Sequence, residues 1–386
     1  GLARLDGLHA VVGFEVLADE LHASWRDGSA KTVGSRRTLP SAYVSWKPHN
    51  EGRWAFGLGF DHPASVKRRW EGLDVEHALA GERLDLEVEQ IHPVIAFRAS
   101  ERWSFGAGFR TLEGRFVDER RGRLGFVTQS APLGLSSLSP LAPHLTVLRF
   151  AEFEATATSD LEGSGFDLAT QYDAETWGLG LVYRSAVELS GSGEVRYRVV
   201  SAPPEIDPLV APRPRRASLR RTFELPREVV LAGYVAPTPS SRLELDLAAA
   251  EWGSTSGERR EIGPGFFGDS PFSQVAYERW EDTLGIRLGY ETALTKRWSL
   301  GAGLAYERSA ISPRLTTPLF PQEDAWVASV GLGYHGERIG LDVGYARSEF
   351  ADRKTTYQDS VPTDVATRYR ASASVLALSA SWRFDR

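Results

Sequence analysis

Cysteine and methionine are both absent from the 386 residues of this chain. Without a thiol there is no disulfide framework, no thiolate metal site and no cysteine nucleophile. No run of roughly eighteen apolar residues exists either, and mean hydropathy is −0.28, so the chain encodes no transmembrane helix. An excess of positive charge is missing as well: 45 Lys and Arg against 51 Asp and Glu leave a net charge of −6, which offers nothing to a nucleic acid. The eight histidines show neither a His-Glu-x-x-His pair nor clustered ligand spacing, and no Gly-x-Ser-x-Gly elbow occurs. Gly331-Leu332-Gly333-Tyr334-His335-Gly336 matches a dinucleotide pattern in letters only, because no helix follows it to hold a pyrophosphate. Enzymatic activity, a cofactor and a metal are therefore not expected. The chain opens on Gly1 with no charged n-region or apolar h-region of a signal peptide, as expected of a trimmed mature form.

What is present is a repeated period of two. Trp54, Phe56, Leu58 and Phe60 alternate with Ala55, Gly57 and Gly59, so one face suits lipid and the other a crowded lumen. Trp103, Phe105, Ala107 and Phe109 repeat the pattern, as do Trp298 to Tyr306, Trp326 to Tyr334 and Leu376 to Phe384. Because every second residue faces inward, mean hydropathy stays that of a soluble protein. A soluble sandwich would need a second sheet to cover the alternate face. The pattern predicts an all-β fold, a single transmembrane antiparallel β-barrel over residues 1–386 in a Gram-negative outer membrane.

The expected strands are 7–19, 39–48, 53–62, 83–99, 102–118, 171–184, 187–200, 223–236, 241–253, 278–293, 297–309, 325–335, 338–350 and 371–384, about fourteen in all. Short turns such as Ala99-Ser100-Glu101, Ser185-Ala186 and Gly336-Glu337 are expected at the periplasmic end. Long links at 20–38, 63–82, 119–170, 201–222, 254–277, 310–324 and 351–370 are expected outside the cell. Trp46, Trp54, Trp103, Trp298 and Trp382 fall beside the periplasmic turns, and Trp252, Trp280 and Trp326 beside the other ends, as two aromatic girdles would.

Ordered short motifs carry a family resemblance. Gly1-Leu2-Ala3-Arg4-Leu5-Asp6-Gly7, Ile91-His92-Pro93-Val94-Ile95-Ala96-Phe97, Leu225-Pro226, Glu251-Trp252-Gly253, Trp280-Glu281-Asp282-Thr283 and Tyr306-Glu307-Arg308-Ser309 fall in sequence over nearly the whole chain. The set resembles the FadL-type outer-membrane transporters of long-chain fatty acids and other hydrophobic compounds. The resemblance implies a fourteen-stranded barrel blocked by an N-terminal hatch, here expected to precede Gly1 and so to be missing, and passive transport of hydrophobic molecules. Gln322-Glu323-Asp324-Ala325 departs from the family, which commonly has an Asp and an Arg there. The alternative is a binding or assembly barrel of the same superfamily, an accessory subunit that docks a protein partner in an envelope complex.

Residue chemistry suggests where a hydrophobic ligand would act. Lumen-facing glycines such as Gly57, Gly106, Gly108, Gly178 and Gly301 leave room for a ligand or let strands coil. Pro93 lacks a ladder donor and marks a kink, either a lateral opening into the bilayer or a purely structural bulge. In link 119–170, Leu124, Phe126, Val127, Leu133, Leu135, Leu138 and Leu141 are too apolar for a loop facing water; they form a ligand-capturing surface or a small core of their own. Arg213, Arg215, Arg216, Arg220 and Arg221 suit anionic groups, lipopolysaccharide phosphate first and a fatty-acid carboxylate second.

Overall fold

The computed structural model describes residues 2–48, 52–74, 81–123, 151–205, 207–211, 214–255, 257–266, 270–276, 280–312, 316–321, 323–355 and 366–384. Its strands are β1 (Gly7–Trp25), β2 (Gly28–Thr32), β3 (Arg37–Lys47), β4 (Trp54–Glu71), β5 (Arg83–Arg98), β6 (Trp103–Arg123) and β7 (Glu152–Asp173). There follow β8 (Trp177–Arg184), β9 (Val187–Ser201), β10 (Arg216–Leu225), β11 (Glu228–Thr238), β12 (Ser241–Ala250), β13 (Glu258–Ile262) and β14 (Phe272–Ala276). The last are β15 (Thr283–Ala293), β16 (Trp298–Glu307), β17 (Ala325–His335), β18 (Ile339–Phe350), β19 (Arg353–Thr355) and β20 (Thr367–Phe384).

All pairing is antiparallel, and the wall closes when β20 pairs with β1 from Leu8↔Phe384 to Ser24↔Arg368. In the wall β8 and β9 form one strand, because both pair with β7, and β10 and β11 form another, because they pair with β9 and β8 respectively. The circuit is then β1, β3, β4, β5, β6, β7, β8–β9, β10–β11, β12, β15, β16, β17, β18 and β20, a closed barrel of fourteen strands. The short β2, β13, β14 and β19 extend the sheet at the end with the long links.

Several expected links are shortened, because β1 and β2 enter 20–38, β4 enters 63–82, β10 enters 201–222 and β13 and β14 lie in 254–277; two larger corrections concern β6 to β9, and one physical cause explains the first. On β6 the outward side chains Trp103, Phe105 and Phe109 are exposed and apolar, whereas farther along it is the inward Leu112 and Phe116 that are apolar and buried. The side chains keep the same two faces throughout, but what lies outside changes from lipid to water, so the apolar face changes from outer to inner. β7 lies largely in this second zone: it buries Phe153, Ala157 and Leu161 while exposing Asp160 and Glu162. It is a wall strand within the 119–170 segment expected to be a link, which therefore spans only 124–151 between β6 and β7. Ser185-Ala186 is not a periplasmic turn but an irregularity within one wall strand; the turn is at 174–176, where Ala174 N–H donates to the Trp177 carbonyl at 2.8 Å. The missed strand and the divided one offset each other in the count.

Burial separates the two zones. Trp46, Trp54, Trp103, Trp177 and Trp298 are exposed near the short turns, and Trp326 is exposed at the opposite end, giving the aromatic girdles. Trp280 departs from its expected girdle position: it is buried beyond the lipid band, in an inward cluster with Leu84, Leu86, Leu112, Phe116, Leu189, Phe223 and Leu319. Trp252 packs against the same cluster, its ring 4.5 Å from that of Trp280.

Candidate functional site: a lumen and a break in the wall

The lumen differs from side to side. Against β6, β7, β8 and β11 lies a cavity of about 360 Å³ lined by small apolar residues such as Val94, Ala96, Gly106, Ala169, Val182 and Ala232, with Gln171, Tyr234, Arg242 and Glu244 on its polar side. Against β12, β15 and β16 a cavity of about 730 Å³ meets Glu15, Arg242, Glu244, Asp246, Arg287 and Glu291. Both volumes lie in the range of small-molecule sites, roughly 300–1,000 Å³. A third cavity, of about 480 Å³, touches His92 and Val94 from the side of Tyr43, Gly57 and Gly59.

The ladder in the wall beside the smallest of these cavities is interrupted at Pro93. β5 and β6 pair at Ile91↔Thr111 and again at Val94↔Gly108, but the intervening His92 and Pro93 have no partner on β6. On the other side the β4 ladder runs through Leu58↔Pro93 and Gly59↔His92 without interruption. Proline lacks the N–H that the ladder would need, so the pairing fails toward one neighbour only. Outside the break lie Ile91 and Phe109, 55% and 53% exposed, together with Phe105, Phe166 and Leu168, all facing lipid.

Inside the break three polar groups form a clasp. His92 reaches from β5 across β6 to pair with Asp167 on β7. Arg110 on β6 pairs with the same carboxylate at 2.9 Å and donates to the Ser185 carbonyl at 2.7 Å. Gly108 makes the crossing possible, since a Cβ there would lie 2.6 Å from Asp167 Oδ2 and closer still to His92 Nε2. Next to it, Asp61 accepts from Tyr43 at 3.0 Å and from Gln90 at 2.8 Å. Ionisable groups turned inward from membrane-spanning strands are costly unless paired, and their presence in Arg110 and Asp167 was the available sequence signal for this site.

The expected arginine cluster divides between two faces. Arg220 and Arg216 are exposed, Arg216 lying 3.7 Å from Glu194. Arg221 is fully buried: it pairs with Asp118 and, at 2.9 Å, with Glu258, and its guanidinium lies 4.0 Å from the centre of the Phe116 ring. Arg260 completes this network at 3.0 Å from Asp118 and 2.6 Å from Glu258. Arg221 thus ties β10 to β6 and β13, and the expectation that it meets an anionic ligand is corrected by its complete pairing. Beyond the lipid band, burial alone would push the Asp118 carboxyl up, but Arg260 and then Arg221 outweigh it and hold Asp118 well below the usual carboxylate range. Phe126, Leu133, Leu135, Leu138, Leu141 and Arg213 lie outside the described residues.

A closed barrel with a lipid-facing band, aromatic girdles and an inner lumen defines the protein as an integral protein of the Gram-negative outer membrane. The family model described as outer membrane protein transport protein (OMPP1/FadL/TodX) matches residues 10–384, and the chain belongs to this family of outer-membrane transporters of hydrophobic compounds. It is 25% identical over 335 residues to a long-chain fatty acid transport protein of Salmonella typhi, covering 81% of this chain and 72% of that protein. A protein of the same description from Escherichia coli O6:H1 is 23% identical over 345 residues, covering 82% and 72%. In structure the chain is similar to a Pseudomonas aeruginosa FadL homologue, with a TM-score of 0.82, 16% identity and coverage of 100% and 92%. It is also similar to the P. putida toluene transporter TodX, with a TM-score of 0.77, 15% identity and coverage of 99% and 91%.

Proposed function

We propose that this protein carries long-chain fatty acids or comparably hydrophobic compounds passively across the outer membrane, and releases them sideways between β5 and β6. The observation that carries this reading is the ladder break at His92 and Pro93, which has lipid-facing side chains on its outer side and, from Val94 onward, a lumen cavity with an apolar patch at Val94, Ala96, Gly106 and Ala169 on its inner side. Burying a methylene contributes roughly 0.8 kcal/mol, so a chain of about sixteen carbons gains on the order of 12 kcal/mol gross in an apolar site. Such a ligand leaves quickly only into surroundings of equal apolarity, and a side exit delivers it to lipid. The transfer proceeds down a gradient and involves no covalent step. Phe126, Leu133, Leu135, Leu138 and Leu141 would supply the capturing surface at the extracellular end, and the exposed Arg220 an anchor for lipopolysaccharide phosphate or a ligand carboxylate.

The test is native mass spectrometry of the detergent-extracted barrel, with extraction of the lipids it carries, followed by uptake into proteoliposomes. Bound fatty acids or hydrocarbons, and uptake above that of protein-free vesicles, are expected. An empty lumen with a stoichiometric co-purifying protein and no uptake would instead make the barrel a docking scaffold.

A further inference from the structure

A second site lies on the outer wall, where the lipid-facing band of β4 and β5 gives way to charge. The β4–β5 register steps from Asp61↔Gln90 to Ala64↔Val88, so two residues of β4, His62 and Pro63, stand opposite Glu89 alone. His62 continues the outward series Trp54, Phe56, Leu58 and Phe60, and the bulge, which accommodates Pro63, follows directly after it; His62 thus stands beside Glu87 and Glu89, the two outward residues that follow the lipid-facing Ile91 toward the long-link end. The β4–β5 register thus gathers residues about twenty-five positions apart in sequence. That separation hides the group from a search for ligand spacing.

The geometry of the group is that of a metal site. The His62 side chain is 2% exposed, whereas Glu87 and Glu89 are half exposed. His62 Nδ1 lies 3.1 Å from the Pro40 carbonyl of β3, an acceptor that assigns the ring proton to Nδ1. Nε2 then turns its lone pair toward one oxygen of each glutamate, at 3.6 Å from both. Three electron-rich atoms converging in this way repel one another until a cation lies between them. The two 3.6 Å spacings from Nε2 lie at the upper end of the roughly 3.3–3.6 Å edges of a tetrahedron around an ion with bonds of about 2.0–2.2 Å to nitrogen and oxygen, and all three donor atoms lie within 4.8 Å of one another. A ring nitrogen oriented through its other nitrogen by a backbone carbonyl is the usual support of such a ligand.

The surroundings favour a cation independently. Glu89 is in register with Glu113 on β6, and Glu113 with Glu162 on β7, so three carboxylates stand side by side on the outer face. Like charges directly opposite destabilise a sheet unless a cation relieves them. In the next row, Glu87, Arg115 and Asp160 alternate in sign and compensate one another.

We infer that His62, Glu87 and Glu89 bind a divalent transition-metal ion of the zinc type, with a fourth position open outward at the level of the outer-leaflet headgroups. The donor set, one imidazole and two carboxylates, suits zinc, cobalt or nickel better than calcium or magnesium. Bound there, the ion ties β4 to β5, while the Pro40 contact ties the ligand to β3.

The test titrates the folded barrel in detergent with cobalt(II), followed by visible absorption, and then displaces the cobalt with zinc. Wild type should show the intense bands of four-coordinate cobalt. His62→Gln, and separately the Glu87→Gln/Glu89→Gln pair, should lose those bands and bind more than roughly 100-fold more weakly, beyond the loss seen when only an orienting partner is removed. Heat-modifiable electrophoretic migration establishes that each variant is folded, and the wild-type minus His62→Gln difference spectrum separates this site from the other histidines. Identical bands in the variants, or only the weak absorption of six-coordinate cobalt in wild type, would overturn the inference.

Discussion

Removing the clasp behind the wall break should make transport faster, and the size of the effect follows from the contacts. In His92→Ala the bond to Asp167 is lost, but Asp167 keeps Arg110 at 2.9 Å and Arg110 keeps the Ser185 carbonyl at 2.7 Å, so no charge is orphaned. A hydrogen bond to a charged group is worth about 1.5–3 kcal/mol. His92 is partly open to the lumen, which favours the lower figure, about 1.5 kcal/mol. If the bond exists only while the break is closed from within, its loss shifts the open population by about tenfold, since 1.4 kcal/mol is a factor of ten. The assay is initial uptake of a fluorescent fatty acid into proteoliposomes, with barrel content matched by heat-modifiable migration. An uptake rate unchanged from wild type, with the barrel intact, would refute the claim that the clasp restrains the exit.

The other predictions concern different parts of the molecule. Arg221→Ala leaves buried Glu258 with Arg260, and buried Asp118 with Arg260 and the more distant Arg120, and should cost about 3–5 kcal/mol, read as earlier proteolysis and denaturation of the extracellular end. Because the Asp118 carboxyl is held below its ordinary value, its contribution is present above the unfolded value, about 3.9, and is lost as pH falls through the folded value; near-ultraviolet dichroism of the extracellular aromatic cluster should therefore be unchanged from pH 7 to 5 and decline only in stronger acid. Replacing Leu133, Leu135 and Leu138 with Ser should weaken fatty-acid binding while heat-modifiable folding persists; unchanged binding would remove that loop from the capture step. Arg220→Gln should slow the uptake of fatty acids but not of uncharged hydrocarbons if the guanidinium holds a carboxylate, and equal slowing of both would assign it to lipopolysaccharide.

The barrel was legible wherever its outside is lipid. From Trp54 to Phe60 and from Trp298 to Tyr306 the outward residues are apolar and the inward ones small, so the sequence period reports the environment directly. It was misread where the outside is water. In β7 the outward Asp160 and Glu162 and the inward Leu161 invert the pattern, and without a membrane reference the strand resembles a polar link. The break at Pro93 was legible because a missing N–H is a local property. The clasp was not, because His92, Arg110 and Asp167 meet only through the registers of three strands. The outer His62 group depends in the same way on the register of β4 against β5. Arg221 was misassigned because its neighbours in sequence are cations facing water, whereas its partners Asp118 and Glu258 are supplied by other strands.

The lateral exit is tested most directly by closing it reversibly. The chain contains no cysteine, so Pro93→Cys with Phe109→Cys places the only thiols at positions that the unshifted β5–β6 register sets opposite each other across the ladder gap. With cross-linking verified by mass, uptake of a long-chain fatty acid should fall to the level of protein-free vesicles when oxidised and return on reduction. Undiminished uptake through the cross-linked barrel would contradict release through the wall.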